Sequence, residues 1–392
     1  MMYVTVPASP RTHQMSLDEF LYGADDARNY VVTANRTNTR TYETNVFPDI
    51  FRYFPDFNIR VIEQHLKEFN EQTKDLRAVE DRHALYRKFF IPKKSGGLRE
   101  INAPEPALME ALRKLKAILE NDCHAMYHTS AFAYVHGRST IDAIKRHQSN
   151  ESKWYAKFDL HDFFGSTTKE FVMSQFKQIF PFASFPESTM NELSTALDLC
   201  FLDGGLPQGT PISPTITNIM MIPVDFILNN GFRDFKYIGN DGAQKEFHCV
   251  YTRYADDFLV SCKYDFDYKK AEEFIINTIT KFGPKFYLNS KKTRYGSRSG
   301  SNWNLGVMVN KDNEITIGYR KKRQFNAMLF SYAMDKKNCN PWPIDDVRHL
   351  DGIRSYYTMV EKDNINSIVE KVSTKTGVDI MKEIHKDLNP NN

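Results

Sequence analysis

The 392-residue sequence predicts an α+β protein, a mixture of helices and short strands. Three observations carry that prediction. Leu108, Leu112, Leu115 and Leu119 recur at three- and four-residue steps, the apolar stripe of an amphipathic helix. Trp154, Ala156, Phe158 and Leu160 alternate with Tyr155, Lys157 and Asp159, which is the period of a strand. Residues 250–262 hold two apolar arms about Ala255-Asp256-Asp257, the pattern of a β-hairpin.

The remaining elements follow in chain order. Residues 1–60 are rich in Asn, Thr, Tyr and Pro with weak periodicity and read as an irregular N-terminal extension. Residues 61–89 have a helical pattern, and the leucine stripe opens a second helix after Pro104. Ser139-Thr140-Ile141-Asp142 fits a capping box at the start of a helix through His147. On the strand that follows, Asp159 points to the face opposite Phe158 and Leu160. Ser213-Pro214 suits N-cap and first turn of a helix towards Asn229-Asn230-Gly231, kinked at Pro223. The hairpin at 250–262 lacks the usual Asn-Gly turn. A helix over 268–282 is stopped by Gly283-Pro284, short strands are expected near 303–309 and 314–318, and the last seventy residues read as mostly helical.

With 41% hydrophobic and 26% charged residues the chain can build packed cores, about two or three compact units, which excludes a mainly disordered protein. No apolar run approaches the ~18–20 residues of a membrane span, and the polar start lacks a secretory apolar region, so a cytoplasmic protein with no membrane partner is expected. Five scattered cysteines without a Cys-x-x-Cys pair argue for small buried apolar residues, against a disulfide framework or a zinc knuckle. Overall charge is balanced, 52 basic against 49 acidic, yet residues 281–323 hold eleven Lys or Arg and only Asp312 and Glu314 as acids. That stripe is either a phosphate-facing surface or a solvated basic face.

Chemistry concentrates at the hairpin. Adjacent carboxylates repel at close range, and a hard divalent cation, Mg²⁺ with Mn²⁺ as the alternative, compensates them. Asp159 is the candidate third carboxylate, which would complete a two-metal site for phosphoryl transfer. The plainer alternative is an acidic turn beside an unrelated strand acid.

At these residues the chain resembles the reverse transcriptases. Tyr254-Ala255-Asp256-Asp257 is similar to their YxDD signature, and residues 158–164, FDLHDFF, resemble the preceding palm strand. Residues 205–214, GLPQGTPISP, are similar to the PQG segment, and residues 93–101, KKSGGLREI, to the fingers hairpin. Residues 135–140, 289–293 and 305–307 resemble further motifs, so seven segments in family order cover roughly 85–310. The resemblance implies a right-hand polymerase: an N-terminal extension over 1–60, fingers over 61–150, a split βαβ (ferredoxin-like) palm over 151–318 and a helical thumb over 319–392.

The resemblance also implies roles. Asp159, Asp256 and Asp257, with the Leu160 carbonyl, would hold two metal ions. Lys292 matches a lysine that protonates the departing pyrophosphate. Lys94, or equally Lys93, and Arg99 would grip the triphosphate of an incoming dNTP, and Gln208, Gly209 and Tyr254 would contact nucleotide or primer. Phe164 occupies the sugar gate, where a bulky ring excludes a 2′-hydroxyl. Arg138 and the run Arg320, Lys321, Lys322 and Arg323 would bind nucleic acid, the RNA template and its DNA product.

The branch is read from departures. The PQG segment is kept, unlike in diversity-generating enzymes. Against the retron pattern, His147 lies one residue too far from Asp142-Ala143 for an NAxxH element, and Asn304-Leu305-Gly306 stands where VTG is usual. The stretch after the palm holds no zinc or HNH pattern of a group II maturase. The closest resemblance is to stand-alone, defence-associated enzymes of the abortive-infection type that copy a dedicated non-coding RNA, with a retron enzyme making RNA-linked DNA, or a non-catalytic RNA-binding scaffold, as alternatives. Residues 1–60 read as structural buttressing, with RNA, an accessory protein or a second copy as alternative partners.

Overall fold

A computed structural model describes residues 3–4, 15–16, 58–92, 96–239, 241–283, 286–299 and 305–389. Lys93, Lys94 and most of the expected extension lie outside these residues. The chain divides into two compact units, one drawn from the described parts of 1–138, 157–260 and 267–293, the other from 139–156, 261–266 and 294–392.

In the first unit, Asn58 caps helix α1 (Ile59–Gln72), whose Ile62, Leu66 and Phe69 are buried. The helical pattern expected to continue to residue 89 stops earlier. A short helix ends at Ala78, and Tyr86–Pro92 is strand β1, paired antiparallel with β2 (Leu98–Pro104) from Tyr86↔Pro104 to Pro92↔Leu98. The aromatic run at residues 86–91 finds a cross-strand partner there, and pairing decides against local helix pattern. Pro106 opens α2 (Pro106–Ala117), whose leucine stripe is buried as expected. In the second unit, the capping box on Ser139 and Asp142 forms as read and starts α3 (Thr140–Ser149).

Strand β3 (Trp154–Asp159) forms on its predicted residues, but Phe158, Asp159 and Leu160 are all buried. Both faces are covered, as in a central strand. The first unit continues with α4 (Lys169–Phe176) and α5 (Glu187–Leu197), then two helices instead of one kinked helix: α6 (Ser213–Met220) and α7 (Ile222–Arg233). Pro223 sits in the first turn of α7, where a missing N–H costs nothing. Ser213 is helical and not the cap; its hydroxyl bonds the Pro207 carbonyl.

Strands β4 (Cys249–Tyr254) and β5 (Asp257–Cys262) make the predicted hairpin, with a turn of only Ala255 and Asp256. Ala255 takes the left-handed conformation, φ 57°, that the missing Asn-Gly signal would have supplied. Helix α8 (Tyr268–Lys281) is capped by Asp267. With β6 (Arg294–Ser297), the sheet has the order β6-β3-β5-β4. In order of appearance the strands lie 4-1-3-2, the arrangement of a split βαβ fold.

The rest of the second unit is helical, as expected: α9 (Tyr319–Lys337), α10 (Ile344–Thr376) and α11 (Ile380–Leu388) enclose a core that includes Phe325, Leu329, Tyr332, Leu350 and Ile365. Inside α10, Glu361 breaks helical geometry, and its carboxylate accepts from Lys322, the Thr316 hydroxyl and the Ile317 N–H. No described helix is long and apolar enough to cross a membrane.

Candidate active site

The hairpin turn and the end of β3 are joined directly. The Leu160 N–H donates to the Asp256 carbonyl at 3.0 Å, and the Asn289 N–H to the Asp159 carbonyl at 2.8 Å. An antiparallel bridge between Leu160 and Leu288 extends the contact. These bonds bring Asp159, Asp256, Asp257 and Lys292, far apart in sequence, into one cluster.

The Lys292 ammonium donates to both oxygens of Asp159, at 2.9 and 3.0 Å, and that bond raises its pKa. Lys157 makes the matching pair with Asp257 at 2.9 Å. Asp256 has no such lysine in these pairs. Burial, then repulsion from Asp257 with Asp159 adding to it, pushes its carboxyl up to about 6. Burial also raises Asp257, against the opposing pull of Lys157.

Among the described residues, no group of three or more His, Cys, Asp or Glu side chains is arranged to hold a metal ion, and Asp159 and Asp257 are each paired with a lysine. The donor chemistry nonetheless fits a hard divalent cation. It is all carboxylate oxygen, it is partly buried, and its mutual repulsion is what such an ion relieves.

The PQG segment packs on the same framework. Leu206 N–H donates to the Phe164 carbonyl at 2.9 Å, and a Cβ at Gly205 would lie 2.1 Å from the Gly165 oxygen. Only glycine allows that approach. The Asn102 N–H of β2 donates to the Gln208 carbonyl at 2.9 Å, and Gly209, φ 110°, lies against Ile101 and Asn102. Phe164 is half-buried with its ring edge-on to Phe163, Tyr254 is half-buried at the end of β4, and Arg99 is exposed on β2.

The other expected residues are described by their own contacts. Arg138, in the first unit, turns its guanidinium to the His128 and Ala131 carbonyls, at 2.6 and 2.7 Å. The basic run belongs to the second unit: Lys322 pairs with Glu361, Lys321 donates to the Gly306 carbonyl, and Arg320 and Arg323 are exposed.

Two features escape the sequence reading. One is the Lys157–Asp257 pair. The other is a fully buried ion pair between Arg253 and Asp225, immediately behind the turn. Each of these charges interrupts an apolar run, Ile222–Leu228 or Cys249–Cys262, which is the signal of a buried partner.

Known proteins resemble the chain over the segments that carry this cluster. The profile of the family described as reverse transcriptase (RNA-dependent DNA polymerase) matches residues 91–325. The chain is 26% identical over 310 residues to the retron Ec83 reverse transcriptase of Escherichia coli, covering 77% of this chain and 90% of that one. It is 29% identical over 254 residues to the retron Ec73 reverse transcriptase of Escherichia coli, covering 62% and 74%. To the retron Mx65 reverse transcriptase of Myxococcus xanthus it is 26% identical over 301 residues, covering 73% and 64%.

The chain belongs to the reverse transcriptase family. It is a retron-like prokaryotic RNA-directed DNA polymerase, a nucleotidyltransferase with an α+β polymerase fold. The departures from NAxxH and VTG therefore do not separate it from the retron-like branch.

Proposed function

We propose that the chain copies a dedicated non-coding RNA into DNA from dNTPs, with two Mg²⁺ ions held by Asp159, Asp256, Asp257 and the Leu160 carbonyl. Bound there, divalent cations would supply positive charge for the attacking and leaving oxygens of phosphoryl transfer. The observation that supports this most is the bond from Leu160 to the Asp256 carbonyl, which seats the turn beside Asp159. Lys292, already protonated on Asp159, is suited to give a proton to the leaving pyrophosphate. Phe164, fixed through its carbonyl by Leu206, is suited to exclude a 2′-hydroxyl. Arg99, with Lys93 or Lys94, would bind the triphosphate, while Gln208, Gly209 and Tyr254 would border nucleotide and primer.

In this reading residues 61–150 are fingers, 151–318 palm and 319–392 thumb, with the exposed Arg320 and Arg323 towards the duplex. The biological role we propose is bacterial antiphage defence. The retron relatives favour a second reading of the product, DNA joined to the template RNA.

Purified protein should extend a primed RNA template with dNTPs and Mg²⁺, and Asp256→Ala with Asp257→Ala should reduce extension at least a thousandfold. Extension surviving that change would defeat the assignment. Sequencing nucleic acid that copurifies with the protein separates the products: RNA-linked DNA supports the retron reading, and separate DNA opposes it.

A further inference from the structure

The side chains of Arg253 and Asp225 are both 0% exposed. Arg253 Nε reaches both Asp225 oxygens, at 2.9 and 3.1 Å, and Nη2 reaches Oδ2 at 2.7 Å. Its Nη1 serves two other groups, the Asn218 side-chain oxygen at 3.1 Å and the Ala255 carbonyl at 3.2 Å. Tyr251 donates its hydroxyl proton to Asp225 at 2.8 Å, and the Asn218 amide donates to the Ala133 carbonyl at 2.8 Å. The Arg253 peptide is held too: its N–H donates to the Ser130 carbonyl at 2.7 Å, and its carbonyl accepts from Phe132 at 2.9 Å.

Stability alone does not call for this pair. Burying two charges costs desolvation that their attraction often only balances, and apolar residues of similar volume do as well or better. What the guanidinium adds is geometry, because its planar fork can hold Asp225 and, from another nitrogen, the Ala255 carbonyl, which a lysine cannot do together. That carbonyl belongs to the peptide joining Ala255 to Asp256. Asp256's own carbonyl is held by the Leu160 N–H. Both peptide planes flanking Asp256 are thus pinned, one by Arg253 and one by β3. Ala255 needs such restraint, since a residue with a Cβ adopts φ near 57° only where its surroundings impose it.

We infer that Arg253, with Asp225 as counter-ion, is a positioning residue that fixes the Ala255–Asp256 peptide and so aims the Asp256 carboxylate at a divalent cation. The inference rests on the metal-site reading above and deepens it.

The test uses the whole chain and two variants: Arg253→Lys, which keeps the charge and loses the fork, and Arg253→Met with Asp225→Leu and Tyr251→Phe, an apolar replacement. Folding is followed by circular dichroism, Mn²⁺ binding without nucleic acid by electron paramagnetic resonance, and kcat, KM for dNTP and primer–template affinity on a primed RNA. Folded variants should bind Mn²⁺ at least fivefold more weakly and lose at least tenfold in kcat, with KM and primer–template affinity within twofold. A folded variant with unchanged Mn²⁺ affinity and kcat overturns the inference, as does failure of both variants to fold, which would assign the pair to folding alone. Asp256→Ala is the control. If it leaves Mn²⁺ binding intact, the metal-site reading falls, and the inference with it; if it weakens binding while the Arg253 variants do not, only the inference falls.

Discussion

His147 shows how burial sets the behaviour of one side chain. It is fully buried on α3, and its Nδ1 shares a 2.6 Å hydrogen bond with the Ser261 hydroxyl, which donates onward to Ser152. Burial first, then the charge of Arg146, lowers its pKa to about 3. The unfolded chain binds a proton near pH 6.5 while the folded chain does not. The stability held by the neutral imidazole is therefore complete above pH 6.5 and is lost as the pH falls towards 3, by about 1.4 kcal/mol per unit. His147→Gln should flatten the fall in Tm between pH 6.5 and 5. Thermal scans at pH 7.5, 6 and 5 check this, and an unchanged slope would refute it. Among the candidate site residues, the three aspartates stand out in the sequence because adjacent acids amid apolar strands demand compensation. Of the lysines that compensate two of them, Lys292 is marked by its motif but its pairing with Asp159 is not, and Lys157 resembles any strand lysine until the chain folds.

At the level of elements, glycine marks where backbone meets backbone. Gly205 lies so close to Gly165 that an added methyl has no room, and the opposing atom is a carbonyl that cannot rotate away. Gly205→Ala should push the 205–209 loop off the Phe164 segment at a cost of about 1–3 kcal/mol. A Tm several degrees lower, together with a raised KM for dNTP, is the expected outcome; a variant identical to wild type in both would show that the loop adapts. Elements with strong local signals formed on their predicted residues, namely the capped helix at Thr140 and the strand at Trp154. Misread elements were those decided by distant partners. Residues 79–89 have helical spacing but become a strand and its approach because residues 98–104 offer a complete antiparallel register. The helix expected from Ser213 through Gly231 divides at Met221, where Pro223 suits the start of a new helix better than the middle of an old one.

Across the whole molecule, balanced charge conceals a local basic run, and the structure sorts its members. Lys322 is committed to Glu361, and Lys321 to the Gly306 carbonyl, whereas Arg320 and Arg323 are exposed. Arg320→Ala with Arg323→Ala should reduce the salt dependence of RNA–DNA duplex binding by roughly one in log–log slope for each phosphate left without its arginine, about two in all. Lys322→Ala should instead lower Tm, leaving Glu361 without its ammonium, and keep the slope. Binding isotherms from roughly 50 to 300 mM salt distinguish the two, and a double-arginine variant with the wild-type slope would exclude these residues from phosphate binding. By itself the sequence determined the α+β class, the polymerase motifs and the three acids, because these depend on period, spacing and residue type, which are local properties. Only the tertiary structure decided which cations neutralise two of those acids and what fixes the turn that carries Asp256. Charge pairing and peptide orientation depend on distances of a few ångströms between segments that the chain keeps tens of residues apart.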